Sequence, residues 1–175
     1  MRLAAGDKPR LGPHAVAAIA AEVAKRAIAV FRKDKGLLDL FGGRIGTVTY
    51  TELNGENIFG SNSTSPTYTR NDRDAAVSLR ETLLEKYPDI MNTEDIGRRP
   101  NDGLFHAETT ALLRAARLNG GTLEEKTLEV HSDRPLCPSC LTVLPYVGLE
   151  LGNPTVTFID SIGLRQTIRN GKWVK

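Results

Sequence analysis

The chain has 175 residues, 23 Lys and Arg against 21 Asp and Glu, a net charge of +2 and two cysteines. That length suits one domain, or one with an appendage, and buries roughly 70% of the unfolded chain's surface, enough for a true core. The balanced charge does not mark the whole chain as a polyanion binder, two cysteines give no disulfide framework, and no apolar run reaches the length of a membrane span, so a reduced, soluble protein is expected.

The segment HAVAAIAAEVAKRAIAVF, from His14 to Phe31, carries Glu22, Lys25 and Arg26 and lacks a cleavable signal pattern. Its apolar positions Val16, Ile19, Val23, Ala27, Val30 and Phe31 recur at helical spacing and predict an amphipathic helix packed on the rest of the chain. Residues 1–41 are read as an N-terminal helical appendage and 42–175 as the main domain. From Gly43, β-branched and aromatic residues flank Asn54-Gly55, which predicts a β-hairpin over about 44–61.

The polar, Pro-containing stretch after Asn62 reads as a loop, and Ala76, Leu79, Leu83 and Leu84 set a helix over about 72–87. A second loop delivers the chain to a helix opening at His106, with a stripe of Leu112, Ala115 and Leu118 and a stop at Gly120-Gly121. A strand (KTLEVHS), a helix starting near Cys137, a strand (PTVTFID) and a short end with a turn at Asn170-Gly171 follow. Strands alternating with helices predict an α/β fold, a sheet covered by helices. Too few residues separate Asp160 from Thr167 for a crossover helix, so the last two strands should form an antiparallel hairpin.

His106 and Glu108 open a helix that Asp102 could cap without them. Alone, the pair reads more simply as a half-buried histidine beside a first-turn glutamate favoured by the helix dipole. Cys137 and Cys140 change that balance. They share a face of the next helix, Pro138 suits its first turn, and the positive helix end favours thiolates. His106, Cys137 and Cys140 therefore meet at one sheet edge as three soft ligands, and three ligands with an open position is the catalytic zinc arrangement. A thioredoxin-like reading of the cysteines leaves only 35 residues after Cys140, too few for that fold. A structural Cys2His2 module recruiting His131 as fourth ligand is the rival of another class, and it leaves Glu108 without a task.

The H-A-E triplet with C-P-S-C beginning 31 residues after its histidine resembles the zinc-dependent cytidine and deoxycytidylate deaminase superfamily. The likeness spans about residues 42–174. Within that superfamily, HAETTALLRAARLNG, HSDRPLCPSC and LELGNPTVTFIDSIGLRQTIRNGKW are similar to bacterial toxin deaminases. The resemblance implies a three-layer sandwich with a mixed five-stranded sheet and a Zn2+ held by His106, Cys137 and Cys140. It implies hydrolysis of cytosine to uracil, with hydroxide formed at a zinc-acidified water and Glu108 carrying protons. Asn62 would hold the target nucleotide, Ala107 would line the base pocket, and Ser132 would neighbour a carbonyl facing the exocyclic amine. The chain departs from relatives in placing Leu136 between Pro135 and Cys137.

Phe105 and Tyr68 are candidates for stacking on bases, and Arg70, Arg73, Arg98 and Arg99 for tracking phosphates. Single-stranded DNA is the expected substrate, with RNA, double-stranded DNA, free nucleoside and adenine as alternatives. As the toxin domain of a bacterial effector, the protein would act in a target cell's cytoplasm, carry no membrane segment or signal peptide of its own, and meet a cognate immunity protein that plugs the zinc cleft.

Overall fold

A computed structural model describes residues 10–175, so the first nine residues of the expected appendage lie outside the described part. Helix α1 spans Pro13–Lys35 and is followed by the hairpin β1 (Val48–Leu53) and β2 (Glu56–Ser61). Helix α2 covers Arg70–Lys86, a short 3-10 helix covers Asn101–Phe105, and α3 runs from Ala107 to Leu118. Strand β3 (Thr127–Ser132), helix α4 (Pro138–Glu150) and strands β4 (Thr155–Ile159), β5 (Arg165–Arg169) and β6 (Lys172–Trp173) complete the chain.

The six strands form one mixed sheet in the order β2-β1-β3-β4-β5-β6. Only β3 and β4, joined by α4, run parallel; every other neighbour is antiparallel. The expected antiparallel β4–β5 pair is present, its short connection held by Asp160, whose side chain accepts from Ile162 and Leu164 N–H. Six strands replace the expected five because Asn170-Gly171 is a hairpin turn, not merely an end. Both its residues have positive φ, as do those of Asn54-Gly55, the backbone that a two-residue turn matched to strand twist requires.

Alternation along the strands divides the core in two. Leu53, Ile58, Leu128, Val130, Val156, Phe158 and Ile168 face α2, α3 and α4, whereas Val48, Tyr50 and Phe59 face α1. Helix α1 does pack on the sheet, but only Ala27 and Phe31 of the expected stripe take part, Phe31 stacking on Phe59 at 4.3 Å. Ala24, Ile28 and Arg32 are buried, while Val16, Ile19, Val23 and Val30 are exposed. An Ala-rich helix is apolar on more than one side, so periodicity leaves two stripes to choose from. The choice follows Arg32, 2% exposed, whose guanidinium reaches Asp133 at 2.7 Å and the carbonyls of Leu37, Ile45 and Gly46. No helix among the described residues is long and apolar enough to cross a membrane.

Candidate metal centre

Two close approaches bring the site together. Gly60 of β2 lies beneath the start of α3, so near that a Cβ there would strike the Ala107 carbonyl and the Thr49 hydroxyl, which are themselves hydrogen-bonded at 2.8 Å. Gly103, in the 3-10 helix, is also close, though less so: a Cβ there would lie 3.0 Å from Ser139 and Val143 in the first turns of α4. With no side chain at either position, the N-termini of α3 and α4 converge on one edge of the sheet. Each carries a candidate ligand as its N-cap residue, His106 on α3 and Cys137 on α4.

The result is a compact donor set. His106 Nδ1 lies 3.3 Å from both the Cys137 and Cys140 sulfurs, and the three ligand atoms lie within 4.8 Å of one another. These residues could hold a metal ion through one imidazole and two thiolates. A hydrogen bond from Cys140 holds the Cys137 thiol down at about 5, against burial and with help from the Cys140 N–H and His106. Cys140 is pushed up, first by its bond with Cys137, then by burial and the Glu108 carboxylate. One thiol of the pair thus ionises readily, which suits ligation.

Glu108 follows in the first turn of α3 and is 3% exposed, with its Oε2 3.6 Å from the Cys140 sulfur. Burial pushes its carboxyl above the ordinary value, only partly countered by its own backbone N–H and by His106. It stands beside the donor set without belonging to it. Asp102 faces the other ring nitrogen of His106 at 4.0 Å, placing a carboxylate behind the imidazole as metal-bound histidines commonly have.

The expected substrate residues divide. Asn62 ends beside α3, where its Oδ1 accepts the Ala107 N–H at 3.1 Å and supplies the cap that His106 does not. Ala107 is fully buried, its N–H taken by Asn62 and its carbonyl by Thr49. Phe105 and His106 line a cleft of about 270 Å3 together with Ser63, Arg73, Arg80, Gly97 and Asp102. Tyr68 is half-buried under the Arg73 guanidinium. Ser132 does not line that cleft: its hydroxyl closes a turn with Arg134, and it borders a cavity of about 660 Å3 under α1.

Of the four arginines picked from the loops, Arg73 reaches the cleft. Arg70 and Arg99 are exposed, and Arg98 pairs loosely with Asp95 at 3.5 Å. Arg80, which no motif marks, also lines the cleft; its spacing of seven residues from Arg73, which puts both on one face of α2, is the signal that could have found it. His131, the proposed fourth ligand of a structural site, points to the α1 side, with its ring 6.4 Å from that of Tyr50.

No protein-family model matches this chain, and no curated protein matches it.

Proposed function

We propose that the chain is a zinc-dependent hydrolase that deaminates cytosine to uracil in a single-stranded nucleic acid, the toxin domain of a bacterial effector. The observation that carries the reading is a buried glutamate set beside three soft metal donors, of which His106 also lines a cleft. The donor spacing suits zinc: a tetrahedral ion with Zn–N and Zn–S bonds of about 2.05 and 2.3 Å separates N from S by about 3.6 Å, close to the 3.3 Å found for His106 and each cysteine. When bound there, zinc supplies Lewis acidity, lowering the pKa of a water from 15.7 to about 7.

The protein's own part is proton traffic and positioning. Glu108 takes the proton of the attacking water and delivers it to ring N3. The C4–N bond then breaks as a second proton passes through the carboxyl to the amine, which leaves as ammonia. The burial that raises the Glu108 carboxyl suits a group that must both accept and return a proton. Asp102 steadies the His106 ring, and Asn62 holds the first turn of α3 so that His106 and Glu108 keep their relative positions. Among the described residues no fourth donor joins the set, which supports catalysis over a purely structural ion.

The test is uracil formation and bound metal, measured on the purified chain and its Glu108→Gln variant with cytosine-containing single-stranded DNA, duplex DNA, RNA and free cytidine. One equivalent of zinc in both proteins, with uracil formed only by the parent, is expected. Stoichiometric zinc with no uracil from any substrate would overturn the cytosine assignment. An effector toxin of this kind would also meet a cognate immunity protein seated over the cleft.

A further inference from the structure

We propose that Arg80 and Arg73 of α2 form an anion subsite beside His106 that grips a phosphodiester next to the target base, so that the substrate is a nucleic-acid strand and not a free nucleoside. The inference rests on the deaminase reading of the same cleft. Its starting point is an unpaired cation. Arg80 is half-buried, its Nε is shielded from solvent, and that nitrogen has no hydrogen-bond partner. Arg73 makes one long contact, 3.5 Å to the Ser63 carbonyl. Among the described residues neither forms an ion pair, Asp102 in the same cleft included.

The other sheltered arginines are treated differently. Arg32 is saturated by Asp133 and three carbonyls, and Arg114 by Asp72 and the carbonyls of Phe59 and Thr67. A shielded donor left without a partner is costly, so Arg80 is built for an anion that arrives from outside, and the exposed Arg73 stands beside it in the same cleft. Both are held in place by aromatic rings: the Arg80 guanidinium lies 5.3 Å from the Phe105 centroid and that of Arg73 lies 5.4 Å from Tyr68. A guanidinium held over a ring keeps a two-pronged edge that matches two oxygens of a phosphate.

The experiment is fluorescence anisotropy with labelled oligothymidylate and oligouridylate, which contain no cytosine, across a salt series. The proteins are the metal-loaded parent chain, Arg80→Gln, Arg80→Lys, and Arg26→Gln as a control for lost charge on the far side. Arg80→Gln should weaken binding about tenfold and flatten the log–log salt slope by about 0.7, the share of one phosphate on a single strand. Arg80→Lys, which keeps the charge but loses the fork, should fall between, and Arg26→Gln should match the parent. Unchanged melting and zinc content certify the folds, and Arg80→Lys keeps the test open if Arg80→Gln is unstable.

Equal binding by Arg80→Gln and Arg26→Gln would overturn the subsite. Binding that depends on Arg80 in a protein that never forms uracil would instead count against the deaminase reading and leave the subsite standing. Loss on both probes assigns recognition to the shared backbone phosphate, and loss on one alone assigns it to DNA or to RNA.

Discussion

Glu108 is buried without an arginine or lysine partner, a position that a carboxylate occupies at a cost unless it works there. Glu108→Gln preserves its size and should leave zinc bound at one equivalent while activity falls by about 10² to 10⁴; retained activity would remove it from the chemistry. His131→Ala is the complementary case. Since its ring faces α1 and Tyr50, zinc content by atomic absorption should be unchanged, whereas loss of the metal would revive a four-ligand structural site. Asn62→Ala removes the acceptor for the Ala107 N–H and should cost about 0.5–2 kcal/mol in denaturant unfolding, as helix-cap losses do.

At the scale of elements, α2 and α3 are joined by one carboxylate. The Asp72 side chain is 1% exposed and makes three contributions: it closes the capping box with Thr69, it pairs with Arg114, and it takes an Arg117 hydrogen bond at 2.6 Å. Burial pushes its carboxyl up, but the bonds from Arg114, the Thr69 backbone and Arg117 outweigh that and hold it well below the ordinary value. A group with a lowered folded pKa stabilises fully above its unfolded value, about 3.9, and loses that contribution as pH falls below it. Asp72→Asn should therefore cost about 3–5 kcal/mol at neutral pH, as breaking a buried pair does, and the gap should narrow below about pH 4 in urea melts taken across pH. A gap that persists undiminished into acid would mean the loss is one of shape and not of charge. Between β2 and α3 the constraint is steric. Gly60→Ala should destabilise by about 1–3 kcal/mol and, by lifting the start of α3, weaken zinc retention against a chelator more than it lowers melting.

For the molecule as a whole, the telling contact is Arg32 with Asp133. Both are buried, and Asp133 also accepts the Val48 N–H, so one ion pair ties α1 to β1 and to the loop that leads into Cys137. Arg32→Met leaves Asp133 charged and unpaired and should cost about 3–5 kcal/mol. Removing residues 1–41 should do worse, exposing Val48 and Tyr50 and abolishing a cooperative melt by circular dichroism. A truncated chain melting like the parent would make α1 a true appendage.

The metal donors were legible because their spacing relies on local rules: C-P-S-C places two thiols on one helical turn, and a histidine at a helix start has few folding reasons to be there. The first hairpin was legible in Asn54-Gly55, and the turn at Asn170-Gly171 was too, though not the sixth strand it leads into, because such turn geometry is decided within two residues. The sheltered stripe of α1, the empty-handed Arg80 and the turn that occupies Ser132 were not. Each depends on which distant groups come to lie opposite: Asp133 selected the face of α1, the Phe105 ring and an unfilled cleft gave Arg80 its meaning, and the Arg134 backbone claimed Ser132. Local order along the chain thus determined the elements and the candidate metal donors. Only tertiary packing, which pairs charges and closes gaps across long sequence separations, decided which faces are buried and which cations are left for a ligand.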